Sequence, residues 1–383
     1  MVMKVGVIGC GNISDNYFRN GPLFADIAYV ACADLRIEAA RAKAETYGIE
    51  ALSIDALLAR DDIDAVLNLT VPAAHAEVSL QVLDAGKHVF TEKPLAVTLA
   101  EGQQMVRAAQ EKGLRLGSAP DTILGPGVQT ARSIVEAGTI GEVITGLATF
   151  MSEGMESWHP NPEFFFIKGG GPVLDMGPYY VAALTNLLGP ITRVQATGRI
   201  GKKERLITAP GALHGQSFTV DTFTSVNALL SFASGAEIPF LTSWDVGHYD
   251  LRPIELHGSQ GTLRIPDPNN FGGTVAVAPP GGDFTLTDTK TLPFGADNLL
   301  WDGLYPYSCY RGLGLADMAR SLKAGVAHRC SAEFGLHTLE VLLAIETAAT
   351  EHRAVEIQSR FSAPRALSST EAQGFLAPVA EVA

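Results

Sequence analysis

The sequence predicts an α/β unit built on a doubly wound parallel sheet, followed by an α+β unit built on one large, mostly antiparallel, open-faced sheet. Three observations carry this expectation. The chain of 383 residues is longer than one hydrophobic core usually supports. Its first ~120 residues alternate short apolar runs with helical segments, the rhythm of a parallel sheet covered on both faces. Beyond about Asp121 the rhythm changes to long alternating runs, which read as antiparallel strands. The division falls at residues 1–121 and 122–383.

In the first unit, Lys4 to Ile8 is a near-continuous apolar strand, followed by a helical stretch to about Asn20. Ile27 to Ala33 reads as a strand and Arg36 to Tyr47 as an Ala-rich helix stopped by Gly48. Ala65 to Leu69 is a strand, Ala73 to Ala85 a helix stopped by Gly86, and Lys87 to Phe90 a strand. Thr98 and Glu101 form a capping-box pattern that opens a helix to Lys112, and Leu114 to Ser118 closes the sheet. In the second unit a helix spans Gly127 to Ala137. Strands follow at Val143 to Phe150, Thr219 to Phe232, Ala236 to Asp245 and Ile254 to His257, with hairpin turns at Ser234-Gly235 and Gly258-Ser259-Gln260-Gly261. Pro- and Gly-rich connections fill 266–283, and helices at Gly312 to Ala324 and Ala332 to Glu351 complete the pattern. No fixed-period repeat is present.

Composition narrows the function classes. A content of 46% hydrophobic and 18% charged residues suits packed cores and not a disordered chain. The net charge of −13 argues against nucleic acid or an anionic membrane surface as partner, since both need a basic face. No apolar run is long enough to span a bilayer, and Met1 to Gly6 lacks the pattern of a signal peptide, so a cytoplasmic protein is expected. Cys10, Cys32, Cys309 and Cys330 have neither metal-site spacing nor an activating base nearby in sequence. They are read as reduced thiols, and no metal is expected.

The segment Gly9-Cys10-Gly11-Asn12-Ile13-Ser14 lies between the first strand and the first helix. Glycines there allow a tight turn and close approach of backbone to a pyrophosphate at the helix N-terminus. Ser14 stands where the dinucleotide fingerprint usually has Gly or Ala. Asp34, at the end of the second strand, is placed to accept hydrogen bonds from an adenosine ribose. A carboxylate there repels a 2′-phosphate, which favours NAD; Arg36, two residues on, leaves NADP possible.

Thr91-Glu92-Lys93-Pro94 follows a strand at the carboxyl edge of the sheet, where such folds bind ligands. The run Gly86-Lys87-His88-Val89-Phe90-Thr91-Glu92-Lys93-Pro94 resembles the glucose–fructose oxidoreductase / inositol dehydrogenase (Gfo/Idh/MocA) family. So do the Gly9–Ser14 turn, the run Gly169-Gly170-Gly171-Pro172-Val173-Leu174-Asp175-Met176-Gly177-Pro178-Tyr179, and the Gly258–Leu263 hairpin. The resemblance implies a Rossmann domain and assigns Lys93 as the active-site lysine. Physically, an ammonium beside the reacting oxygen stabilises a developing alkoxide. Gly9, Gly11, Asn12, Ile13, Asp34, Arg36, Thr70, His75, Glu92 and Lys93 fall on the cofactor side, with His75 also readable as a structural histidine of its helix. Glu92 and Pro94 shape the turn beneath the nicotinamide, the latter through a possible cis bond.

Asp175 and Tyr179 are spaced to share one face of a single helix that stops at Gly189-Pro190, with Pro178 tolerable only near its start. Most family members carry histidine at the position of Tyr179, whereas those resembling glucose–fructose oxidoreductase and dimeric dihydrodiol dehydrogenase carry tyrosine. Lys93 is the expected cation beside this phenol, with Asp175 orienting the lysine or a substrate hydroxyl. Further substrate candidates are Asp121, which either bonds a sugar hydroxyl or caps a turn, Trp158 and His159 on a Pro-flanked loop, and Lys168 before the triple glycine. The implied protein is an NAD(P)-dependent dehydrogenase or reductase of a sugar, cyclitol or related polyol. A homodimer or homotetramer joined through second-unit sheets is expected, on the argument that the helices cannot cover both faces and leave one apolar and exposed. Rival readings are a non-catalytic NAD-binding regulator, an NAD-dependent glycosidase and a trans-dihydrodiol dehydrogenase.

Overall fold

The computed structural model describes residues 2–301 and 303–378. Met1, read with the N-terminal segment, and residues 379–383 of the second unit lie outside the described residues, as does Asp302.

Six parallel strands form the first sheet: β1 (Met3–Ile8), β2 (Ile27–Ala33), β3 (Glu50–Leu52), β4 (Ala65–Asn68), β5 (His88–Thr91) and β6 (Leu116–Ser118). Their spatial order is β3-β2-β1-β4-β5-β6, so the order reverses beside β1. Such a switch point opens a crevice at the carboxyl ends of the strands. The helices between them are α1 (Ser14–Asn20), α2 (Ile37–Tyr47), α3 (Ile54–Leu58), α4 (His75–Asp84) and α5 (Leu99–Lys112). β1 and β4 are buried along nearly their whole length, as expected of their near-continuous apolar runs. Thr98 and Glu101 make both bonds of the capping box. The short β3 and α3 went unassigned in the sequence because neither is long enough to show a period.

α6 (Pro126–Glu136) leads into the second sheet through β7 (Val143–Met151), then come α7 (Gly171–Asp175), α8 (Gly177–Leu188) and β8 (Ile191–Arg199). β9 (Glu204–Leu206) and β10 (Ser217–Thr219) pair as a separate small sheet, followed by β11 (Ser225–Phe232) and β12 (Glu237–Ser243). β13 (Ile254–Gly258), β14 (Gly261–Ile265), β15 (Thr274–Ala278) and β16 (Thr285–Asp288) form a meander. The remaining elements are β17 (Leu299–Trp301), β18 (Tyr305–Tyr307), α9 (Leu313–Ala324), α10 (Ala332–Glu351), β19 (Val355–Glu356) and α11 (Ser369–Gln373). The nine-stranded sheet runs β16-β15-β14-β13-β7-β12-β11-β8-β19, antiparallel except between β12 and β7.

Three expectations need correction. The run Thr219 to Phe232 is not one strand: the Val220 and Asp221 amides donate to Lys203 and Phe166 carbonyls, which pulls that stretch out of the ladder. Residues 266–283 are not all connection, because Thr274–Ala278 is a β-rich run that pairs with β14 despite its glycine neighbours. The uncovered sheet face is not an apolar patch: exposed Gln195, Thr197 and Asn227 line it, with Leu229 and Leu241 half-buried among them.

The last long helices return to the first sheet. α10 packs on β8, α8 and α5, and α9 packs on β6 and β2. Close approach depends on missing side chains: a Cβ on Gly335 of α10 would stand 2.8 Å from the Ser118 Cβ. Ser118 of β6 donates its amide to the Cys330 carbonyl (3.0 Å), and Leu339 of α10 joins the apolar cluster of the parallel sheet.

Candidate active site

β1 ends in a turn whose geometry requires glycine. Gly9 has φ +104°, and a Cβ there would stand 2.6 Å from the Leu69 carbonyl. Gly11 is exposed, and a Cβ on it would meet no heavy atom within 4 Å, so the turn is open on its outer side. Asn12 beside it is exposed and Ile13 half-buried. Ser14 is fully buried and folds its hydroxyl back onto the Gly11 carbonyl (2.6 Å). A small residue is what this close helix–strand contact needs, so the departure from Gly or Ala is accommodated. No side chain caps the first turn of α1. The donor set therefore fits a dinucleotide: open backbone amides for the pyrophosphate and a carboxylate for the ribose. That carboxylate is Asp34, whose Oδ2 accepts from the Cys10 amide (2.8 Å) and Oδ1 from the Arg36 amide (2.9 Å). Arg36 is exposed just before α2.

Thr70 borders the turn, with its hydroxyl donated to Asn68 Oδ1 (2.7 Å). His75 is buried, with Nδ1 2.7 Å from the Pro94 carbonyl and Nε2 3.0 Å from the Thr70 carbonyl. Both ring nitrogens face backbone oxygens, so His75 fixes these two loops and has no free atom to offer a cofactor. Burial pushes its pKa down, against the pull of the two carbonyls.

Lys93 precedes a cis Pro94 at the carboxyl end of β5. Its ammonium donates to Asp175 Oδ1 (2.9 Å) and to the Asp175 carbonyl (2.6 Å), and stands 5.2 Å from the centre of the Tyr179 ring. Burial opposes that charge, but Asp175, Tyr179 and Glu92 outweigh it and hold the lysine above its ordinary range. Asp175 and Tyr179 do not share one helix, contrary to the sequence expectation. α7 ends at Asp175, and α8 begins at Gly177 with Pro178 in its first turn. A continuous helix would set the Pro178 ring against the carbonyl of Leu174, whereas a new first turn needs no N–H from it. The two side chains still converge, because both face Lys93.

Beneath this group lies a buried network that no sequence motif announced. Glu92 Oε2 accepts from the Lys93 amide (2.9 Å) and Oε1 from the Tyr17 hydroxyl (2.7 Å). Arg311 Nη1 stands 3.9 Å from Glu92 Oε1, and Nη2 donates to Tyr179 Oη (3.0 Å) and to Asn269 Oδ1 (3.2 Å). The cation bonded to the phenol oxygen is therefore Arg311, with Lys93 over the ring. Burial alone raises the Glu92 carboxyl, but Arg311, Tyr17 and Lys93 reverse that and hold it below its usual range.

Asp121 is fully buried, and its Oδ2 accepts from the Gly312 and Gly314 amides (2.9 and 3.1 Å). It ties the start of α9 to the first sheet and does not face a sugar hydroxyl. Trp158 is 48% exposed and packs edge-on against His159, whose ring also meets Phe164 and Phe165. Lys168 is exposed and lines a groove of about 580 Å³ with Glu346 and Thr347, whose walls include none of Lys93, Asp175 and Tyr179. Cys10, Cys32, Cys309 and Cys330 are buried thiols. Among the described residues, no cluster of His, Cys, Asp and Glu has the geometry to hold a metal ion, and no helix is long and apolar enough to cross a membrane.

Around one point the site thus gathers an ammonium, a carboxylate and a phenol, next to a turn built for a dinucleotide. Residues 3–119 match the Gfo/Idh/MocA oxidoreductase family with its NAD-binding Rossmann fold, and residues 128–264 match the Gfo/Idh/MocA C-terminal domain. The chain is 33% identical over 268 residues to dTDP-3,4-didehydro-2,6-dideoxy-α-D-glucose 3-reductase of Streptomyces violaceoruber, covering 69% of this chain and 72% of that protein. It is 28% identical over 297 residues to inositol 2-dehydrogenase of Rhizobium meliloti, covering 75% and 84%. The crystal structure of an NAD-binding oxidoreductase from Klebsiella pneumoniae superposes with a TM-score of 0.80 at 23% identity, covering 94% of this chain and 100% of that one. Sequence, sheet order and site agree, and the chain belongs to the Gfo/Idh/MocA family of NAD-binding oxidoreductases.

Proposed function

We propose that this oxidoreductase moves a hydride between the nicotinamide of NAD and a carbinol or carbonyl carbon of a sugar, cyclitol or related polyol, with Lys93, Asp175 and Tyr179 as its catalytic residues. One observation carries this reading: the Lys93 ammonium is fixed 2.9 Å from Asp175 Oδ1, against the Tyr179 ring, at the carboxyl edge of the nucleotide sheet. The reductase and dehydrogenase named above, one of a keto-sugar nucleotide and one of inositol, support the substrate class. The bound cofactor supplies or accepts the hydride.

The chain's own residues do the rest. Gly9, Gly11, Asn12 and Ile13 meet the pyrophosphate, and Asp34 meets the ribose. Thr70, His75 and Glu92 hold the loops around the nicotinamide pocket. Lys93 hydrogen-bonds the substrate oxygen and stabilises negative charge developing on it. Asp175 keeps the lysine charged and aimed. Tyr179 carries the proton that the oxygen gains on reduction or gives up on oxidation. Trp158 and His159 offer an aromatic wall to a pyranose or cyclitol ring. Residues 1–121 act as the nucleotide unit and 122–383 as the substrate and assembly unit of a cytoplasmic homodimer or homotetramer. A monomeric mass by light scattering at micromolar concentration overturns that assembly.

The test is a panel of aldoses, ketoses, cyclitols and alditols with NAD(H) and NADP(H), read by nicotinamide absorbance. Turnover of at least one polyol or its ketone is expected. Tight NAD binding with no turnover of any makes the protein a non-catalytic NAD-binding regulator instead.

A further inference from the structure

The guanidinium of Arg311 is buried at the centre of the site, and the fold takes trouble to place it. Asn20 of α1 donates to the Cys309 and Arg311 carbonyls (3.0 and 3.2 Å), and Asp121 accepts from the next amide, Gly312 (2.9 Å). The backbone is thus pinned on both sides of the residue. Its Nη2 carries two protons, and both are used: one donated to Tyr179 Oη at 3.0 Å and one to Asn269 Oδ1 at 3.2 Å. Nη1 faces Glu92 Oε1 at 3.9 Å, and Glu92 is itself held by the Tyr17 hydroxyl at 2.7 Å. A counter-charge is what a guanidinium at this depth requires.

Donation by Arg311 fixes the direction of the Tyr179 proton. A phenol oxygen that accepts from a guanidinium keeps its own O–H for another acceptor. We propose that Arg311 is a positioning residue: it anchors the Tyr179 oxygen so that the phenolic proton is presented to the substrate oxygen, with Glu92 and Tyr17 holding the guanidinium in place. The inference rests on the assignment of Tyr179 as the proton carrier. In the reductive direction the carbonyl carbon receives a hydride, the C=O π pair becomes an O–H bond, and the proton of that bond comes from Tyr179. The oxygen left behind keeps its hydrogen bond from Arg311 Nη2 and regains a proton from water. Oxidation runs the same transfers in reverse. A tyrosine at position 179 suits this arrangement, since a phenol both accepts from the guanidinium and keeps a proton to donate, whereas a protonated imidazole there would offer no acceptor and meet like charge.

The test is a double-mutant cycle on the full-length enzyme with its best substrate from the panel. Arg311→Lys is expected to lower kcat by about 10-fold or more while KM changes by less than about 3-fold, because the lost interaction acts in the transition state. Tyr179→Phe is expected to lower kcat by ~100-fold, the usual contribution of a positioned acid–base group. In the Tyr179→Phe background, Arg311→Lys is expected to cost less than a further 2-fold, since the hydroxyl it served is gone. Multiplicative losses overturn the inference and leave Tyr179 as proton carrier. Full turnover in Tyr179→Phe alone removes that assignment, and the inference with it. If Arg311 variants fail to fold, Asn269→Ala gives the same cycle from the other partner of Nη2. The expected loss is then about 3-fold in wild type and none in Tyr179→Phe, and equal losses in the two backgrounds overturn it.

Discussion

Lys93 Nζ donates to two oxygens of a single residue, the carboxylate (2.9 Å) and the backbone carbonyl (2.6 Å) of Asp175. The ammonium is therefore aimed by the end of α7 as a rigid unit. Lys93→Met is expected to lower kcat by ~100-fold or more, as for loss of one preorganised donor. The NAD dissociation constant, measured by fluorescence quenching, should stay within about 3-fold, because the pyrophosphate turn is untouched. Asp175→Asn keeps an acceptor for Lys93 but loses the charge, and a smaller drop of about 10-fold is expected.

Asp34 has two tasks, and one substitution affects both. Its carboxylate is the proposed ribose partner, and it also accepts from both the Cys10 and the Arg36 amides. In Asp34→Ser the repulsion of a 2′-phosphate disappears while Arg36 remains. The ratio of kcat/KM for NADP over NAD should rise by about 10-fold or more, with a weaker KM for NAD as the loosened turn moves. A wild-type enzyme that already prefers NADP refutes this account.

Gly9→Ala places a methyl against the Leu69 carbonyl and forces an L-residue to φ +104°. Strain of about 1–3 kcal/mol is expected from the backbone alone. The variant should unfold at lower temperature and lose NAD affinity together, because β1 and its turn must shift away from Leu69. Calorimetry with and without NAD reads both.

Glu346 of α10 lines the groove that Lys168 also lines, with Oε1 unpartnered, and burial pushes its pKa up to about 7. The folded value lies above the unfolded one, so the stability it permits at low pH is lost as pH rises from about 4.5 to about 7. Glu346→Gln removes that penalty, which is on the order of 3 kcal/mol at most. Its melting temperature should exceed that of wild type at pH ~8 and match it near pH ~4, the two sides of that window. Equal melting temperatures at both pH values rule the buried carboxyl out.

Much of this molecule can be read in its letters, and the gaps have physical causes. The helix Leu99–Lys112 was legible because its cap is a local chemical pair, Thr98 and Glu101. The near-continuous apolar runs of β1 and β4 were legible because burial on both faces favours that composition. Lys93, Asp175 and Tyr179 sit in motifs whose spacing survives as sequence. The break between α7 and α8 was half-legible: Pro178 warned of it, but only the chain's path showed that two short helices aim Asp175 and Tyr179 at one lysine. Arg311 was not legible at all. Nothing around it signals function, and its partners Glu92, Tyr179 and Asn269 come from distant parts of the chain. β8 was missed for a related reason, since its exposed face is polar and its glycine and threonines mimic a loop.

The return of α9 and α10 to the parallel sheet has a consequence for how the protein is made. Gly314 lacks a side chain where the Phe90 ring lies against it, and Cys330 roofs the Gly117–Ser118 edge of β6. Cys330 is separated from Pro120 by 210 positions, so a ribosome working at about 5–20 residues per second needs roughly 10–40 s to supply that roof. Throughout that interval the nascent nucleotide half stands with the apolar edge at Phe90 and Leu116 uncovered. Its completion waits on α9 and α10, which are translated after every strand of the second sheet except β19.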